Sequence, residues 1–124
     1  MRLAVPVFRS RISPVFDFST RALIVQFLHG KETDRHEVYL AGQSLQERVQ
    51  RLKDVRADIL ICAALSLPLQ RMLIMAGIQV IPGIVGETDE VINAYQAGSL
   101  NERRFLMPGF CHRRGRRRYC GGRR

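Results

Sequence analysis

Apolar residues along this chain fall into short runs whose period changes partway. RLAVPVF (2–8) is apolar and rich in strand formers, although Pro6 lacks a ladder donor and marks an irregular end. RALIVQFLHGK (21–31) predicts a second strand running into a turn at Gly30 and Lys31. RHEVYLAG (35–42) alternates polar and apolar positions, as an antiparallel hairpin partner would. From residue 44 the period lengthens. Ser44 and Glu47 have capping-box spacing, and Leu45, Val49 and Leu52 share one face of a helix reaching to about Ala57. DILICAAL (58–65) is continuously apolar over a strand's length, which predicts a strand buried on both faces. SLPLQRMLIMAG (66–77) reads as a helix with Ser66 as N-cap, Pro68 in the first turn and Gly77 as its stop. IQVIPG (78–83) is a further central-type strand. ETDEVINAYQAG (87–98) is a helix with Thr88 as cap, acids in its first turn and Gly98 at its close.

The order β-β-β-α-β-α-β-α combines an antiparallel meander with crossovers that need parallel neighbours. It predicts an α/β domain: a three-layer, ribonuclease H-like fold with a mixed five-stranded sheet, order 3-2-1-4-5, and flanking helices. No periodic pattern continues after Leu100, so residues 108–124 are expected to be disordered without a partner.

Charge divides the chain differently. Residues 1–102 hold 11 Lys/Arg and 11 Asp/Glu, whereas 103–124 hold 9 Arg and no acid, so the whole net charge of +9 lies in the tail. The expected organisation is a neutral domain over 1–102 and an Arg/Cys-rich flexible tail over 103–124. That placement weakens any reading in which the fold itself binds nucleic acid. The most apolar stretch, MLIMAGIQVIPGIVG, is interrupted by Gly77, Gln79, Pro82 and Gly83 and falls short of the roughly 20 residues a membrane span needs. Three cysteines and no export signal predict reduced thiols in the cytoplasm.

In open α/β sheets, ligands bind beyond the carboxyl ends of the strands where the winding reverses. For order 3-2-1-4-5 that crevice lies between the first and fourth strands, so FRSRISP (8–14) should meet CAALSLP (62–68). The first segment offers Arg9, Ser10, Arg11 and Ser13. The second offers Cys62 and a helix N-terminus at Ser66. Arginines, hydroxyls and a helix N-terminus suit an anion, and a nearby thiol suits one containing iron or another soft metal. Spacing alone reads Cys62 differently, as a small hydrophobe within an apolar run.

Catalytic motifs are missing. A ribonuclease H-like nuclease needs clustered carboxylates on its central strands for two metal ions; RLAVPVF has none, and Asp58 alone cannot serve. The sequence has no GxSxG, P-loop or GxGxxG. Asp17 with His29 or His36 could be drawn as an acid/base pair, but both histidines read as surface residues of the outer hairpin. The chain is expected not to be an enzyme.

MRLAVPV and RISPVFDFSTRALIV, followed in register by DILICAALSLPLQRMLIMAGIQVIPGIVGETDEVINAYQAGSL, resemble the dinitrogenase iron–molybdenum cofactor biosynthesis family over roughly residues 1–100. The resemblance implies a ribonuclease H-like fold and a non-enzymatic role: binding, carrying or inserting an anionic iron–sulfur or iron–molybdenum-type cluster, or its precursor, in metallocluster assembly related to nitrogen fixation. Its implied partners are proteins that donate and accept the cluster. It places the pocket at Ser10 to Pro14 and Cys62 to Ser66, which raises Cys62 and Arg11 above what spacing grants them. Many members carry a His- and Gly-rich loop after the third strand. Here the segment is YLAGQSLQE, without histidine, so ligands would come from Cys62, the tail or His36.

The tail closes on FCHRRGRRRYCGGRR, with Cys111, His112, Cys120 and seven arginines. The cysteines lack CxxC spacing, so metal binding by the tail alone is weakly indicated. Folded over the crevice, Cys111, His112 and Cys120 could join Cys62 as metal ligands, with arginines neutralising the cluster and lowering the thiol pKa values. A competing reading is an arginine-rich arm with Tyr119 interleaved, binding nucleic acid without sequence preference. Others are a solvated tail with no partner, a dimerisation or scaffold role for the body, and a redox pair of Cys111 and Cys120.

Overall fold

The computed structural model describes residues 1–107, apart from the side chain of Arg103, and the backbone of residues 110–113 and 116–119. In chain order the elements of the body are β1 (Arg2–Phe8), β2 (Arg11–Ile12), a 3-10 turn (Phe16–Phe18), β3 (Arg21–Leu28), β4 (Lys31–Tyr39), α1 (Leu45–Asp54), β5 (Ile59–Ile61), α2 (Leu67–Met75), β6 (Gln79–Ile81) and α3 (Thr88–Ala97). Six strands form one mixed sheet. Its path is β4-β3-β1-β5-β6, with β2 folded back on the end of β1. β3 runs antiparallel to both β1 and β4, while β5 lies parallel to both β1 and β6.

Side-chain alternation divides the core into two layers. Ala4, Ile24 and Leu60 pack on one face with Val49 and Leu52 of α1 and Leu69 and Leu73 of α2. Leu3, Val25 and Ile61 pack on the other with Val91 and Ile92 of α3 and with Phe105. β5 shows why its segment reads as unbroken apolar sequence: Leu60 and Cys62 face the first layer, Ile61 and Ala63 the second. Each large aliphatic side chain buried this way contributes about 1.5–3 kcal/mol. No helix among the described residues is long and apolar enough to cross a membrane.

Local chemistry explains several boundaries. The capping box at α1 is complete: Glu47 N–H donates to Ser44 Oγ at 3.1 Å and Ser44 N–H to Glu47 Oε1 at 2.7 Å. The β3–β4 turn is His29–Gly30, with φ of 54° and 78°, the two left-handed residues of a type I′ hairpin. That tight turn lets β4 begin at Lys31, ahead of the alternating stretch at 35. Its early residues are exposed on a sheet edge, so KETD carries no apolar signal. A register shift at Gln26/Phe27 bulges the same hairpin.

Three expectations need correction. The sheet has a sixth strand, because Arg11–Ile12 turns back to pair with Val7 and Phe8; two residues are too short to show a period. The N-cap of α3 is Glu87, without a side-chain cap. Thr88 is instead the first helical residue, and its N–H donates to Ser10 O at 2.8 Å. A backbone acceptor from the β1–β2 loop thus replaces the expected hydroxyl. Beyond Leu100 the chain keeps regular structure. Arg103–Phe105 forms a 3-10 turn, Phe105 is 1% exposed, and Val85 and Met107 N–H donate to Phe105 O and Gly83 O at 2.8 Å each. The packing of the body therefore continues to Met107. The backbone of β7 (Phe110–Arg113) and β8 (Arg116–Tyr119) pairs as an antiparallel hairpin.

Candidate functional site

The loops that follow β1, β5 and β6 meet at the carboxyl end of the parallel strands. Ala64 N–H donates to Pro14 O at 3.0 Å and Phe16 N–H to Ala64 O at 2.8 Å, joining the β1 excursion to the end of β5. Ile12 N–H donates to Gly86 O at 3.0 Å, which with the Thr88–Ser10 bond joins the same excursion to the start of α3. Gly86 also lets Val91 of α3 and Phe105 pack closely at this junction. Its φ is 135°, and a Cβ there would lie 3.3 Å from Val91 Cγ2 and 3.4 Å from Phe105 Cδ1.

Arg9, Ser10 and Arg11 stand exposed on this loop, whereas Ser13 is 5% exposed. Arg9 holds a left-handed backbone (φ 58°), unusual for a residue with a side chain. Its guanidinium lies over the Phe8 ring, 5.3 Å from the centroid. Neither Arg9 nor Arg11 enters an ion pair among the described residues. Two arginines without carboxylate partners on a fastened loop can receive an anion.

Cys62 lies elsewhere in chemical terms. It is fully buried in the layer with Phe16, Leu60, Leu69 and Leu73. Its backbone N–H donates to Ile81 O at 3.1 Å and its carbonyl accepts from Ile84 N–H at 3.0 Å. The thiol therefore does not share the solvent-facing surface of Arg9 and Arg11.

The N-terminus of α2 also differs from expectation. Ser66 N–H donates to Asp17 Oδ1 at 2.8 Å, and Leu69 N–H donates to Ser66 Oγ at 3.4 Å. A carboxylate from the 3-10 turn thus occupies the position where an external anion was expected, and it complements the helix dipole. Sequence reasoning had not placed Asp17 here. The pairing spans 49 residues, and no local spacing announces it.

The turn that delivers Asp17 is clamped from below by Arg48 of α1, a residue the sequence reading also missed. Arg48 is 4% exposed, and its Nη1 donates to Ser19 O at 2.6 Å and Phe16 O at 3.3 Å. Burial pushes its pKa down, and the negative charge of Asp17 counteracts part of that. The guanidinium Nε is buried without a partner among the described atoms. Above this clamp is an apolar cleft of about 350 Å³ lined by Val7, Phe8, Pro14, Val15 and Phe18, with Ser13 at its wall.

Among the described residues no three His, Cys, Asp or Glu side chains are grouped to hold a metal ion. His36 stands on the exposed strand β4 with its Nδ1 3.2 Å from Asp34 Oδ2, and His29 is in the hairpin turn, so neither reaches the loop of Arg9. Cys111 and His112 are placed only through the backbone of β7, and Cys120 lies outside the described residues.

The fold and these loops define a mixed α/β domain with a cationic loop at the carboxyl edge of its sheet. No family model matches the chain, and neither does any curated protein. Solved structures do share the fold. The crystal structure of PH0822 superposes with a TM-score of 0.75 at 22% identity, over 79% of this chain and 90% of that one. A provisionally named dinitrogenase from Methanocaldococcus jannaschii gives 0.68 at 15% identity, over 80% and 90%. A provisionally named NifB protein from Thermotoga, ascribed to the DUF35 family, gives 0.61 at 23% identity, over 92% and 98%.

Proposed function

We propose that this chain is a non-enzymatic carrier that binds an anionic iron–sulfur or iron–molybdenum-type cluster, or its precursor, during metallocluster assembly. The observation that carries the reading is the shared fold with proteins named for dinitrogenase and NifB. It fits the ribonuclease H-like assignment and the nitrogen-fixation resemblance of residues 1–100. In this reading Arg9, Ser10 and Arg11 hold the negative cargo, and Cys111, His112 and Cys120 supply its soft ligands. Cys62 acts as a core residue, because ligation by a fully buried thiol would require the α1/α2 layer to open.

Loading the full chain anaerobically with iron and sulfide, then desalting, tests this assignment. Retained iron and visible absorption should fall in Arg9→Ala/Arg11→Ala and in Cys111→Ser/Cys120→Ser, and should persist in Cys62→Ala. Uptake that depends on Cys62 alone would reverse the assignment. Uptake by none of these proteins would remove the carrier reading.

A further inference from the structure

We propose that the cleft between Phe8 and Phe18 is a docking surface for a partner protein, which inserts an apolar side chain flanked by carboxylates. The first observation is exposure: Phe18 is 81% exposed and Phe8 56%, and both rings line the same cleft of about 350 Å³. Single exposed apolar residues are commonplace, but these two share one concavity with Val7, Pro14 and Val15.

The second observation is rigidity. The 3-10 turn carrying Phe18 is held by Ser19 N–H to Phe16 O at 3.2 Å, by the Arg48 clamp from α1 and by Asp17 on the N-terminus of α2. A buried arginine on one side and a helix cap on the other hold an aromatic ring out in water. Preorganisation of that kind lowers the ordering cost of association, and rigid aromatic and arginine side chains are the usual anchors of protein interfaces.

Charge selects the occupant. Arg9, stacked on Phe8, and Arg11 on the adjoining strand stand beside the cleft without ion-pair partners among the described residues. The chain leaves the body at Met107, hydrogen-bonded to Gly83, at the same carboxyl end of the sheet. From there the sequence continues with seven arginines and no acid. Like charge disfavours both this chain's own C-terminal segment and a second copy of the same face as occupants, and favours an acidic partner. The largely apolar lining favours a protein side chain over a nucleic-acid base, whose polar edges would lose water without replacement. This inference does not depend on the carrier reading.

The test uses the full chain and three labelled probes: an acidic peptide with one central Phe, the same peptide with Ser at that position, and a single-stranded oligonucleotide of equal charge. Binding is read by fluorescence anisotropy. Attraction to the arginine-rich segment is common to both peptides and cancels between them. The Phe peptide should bind about tenfold tighter than the Ser peptide, and Phe18→Ala should abolish that difference. Arg9→Glu should weaken both peptides. Phe18 is exposed enough for its replacement to leave the thermal midpoint unchanged, which a melting curve checks. Equal binding of the two peptides, or a difference that survives Phe18→Ala, overturns the proposal. So does an oligonucleotide whose binding falls tenfold in Phe18→Ala while the peptides are unaffected.

Discussion

Replacing Arg48 with Met should destabilise the domain by about 1–2 kcal/mol and loosen a contact in a different helix. Met retains the apolar stem and good helix propensity, so packing and α1 are little disturbed. What disappears is the guanidinium that donates to Ser19 O at 2.6 Å and Phe16 O at 3.3 Å. Phe16 O keeps donors in Ser19 N–H and Ser19 Oγ, at 3.2 and 2.9 Å. The carbonyl of Ser19, in a residue only 3% exposed, loses the clamp. An abandoned buried acceptor costs about 1–3 kcal/mol. Removing a buried charge with one unpartnered N–H offsets part of that. Urea titration should show a lower midpoint at unchanged slope, and the thermal midpoint should drop by roughly 3–8 °C. Hydrogen exchange supplies the sharper readout. If Arg48 holds the turn that presents Asp17, the Ser66 amide bonded to Asp17 Oδ1 should exchange faster in the variant. Unchanged stability together with unchanged Ser66 protection would refute the clamp.

Three further outcomes follow from the same geometry. Ser44→Ala removes the Oγ that accepts from Glu47 N–H, while the backbone N–H of residue 44 can still donate to Glu47 Oε1, and should lower stability by about 1 kcal/mol, measured by urea titration. Gly86→Ala forces a Cβ towards Val91 and Phe105 at a φ of 135°, and should cost at least about 2 kcal/mol in the same assay. Burial, and secondarily the charge of Asp58, raises the Tyr95 pKa. The folded state therefore binds that proton more tightly. Its stabilising contribution is intact below the unfolded tyrosine value of about 10 and is lost as pH rises through the folded value. Denaturation midpoints between about pH 8 and pH 11 should fall less steeply in Tyr95→Phe than in the parent; equal slopes would contradict the assignment.

Elements with a period or a cap were legible in the sequence. Ser44 and Glu47 announced the start of α1, and the unbroken run around Leu60 announced a strand covered on both faces. Features that depend on distant partners were not. Asp17 and Ser66 meet across 49 residues, Arg48 reaches a turn some 30 positions earlier, and Phe105 fills the α3 layer from a stretch without periodicity. The start of β4 was hidden because an exposed edge strand needs no apolar residues. At the candidate site, residue types alone pointed to Arg9, Ser10 and Arg11. The burial of Cys62 and the carboxylate already seated on α2 became visible only in three dimensions.

The most direct test of the carrier reading compares the full chain with one ending at Pro108, both offered a preformed [4Fe–4S] cluster anaerobically. Iron content and visible absorption are measured after desalting. The account predicts that the full chain retains the cluster and the shorter chain loses most of it, because the soft ligands lie beyond Pro108 while the body contributes only the cationic loop. Equal retention would move the ligands into the body and contradict the assignment of Cys111, His112 and Cys120. Absence of cluster from both chains would contradict the carrier function itself.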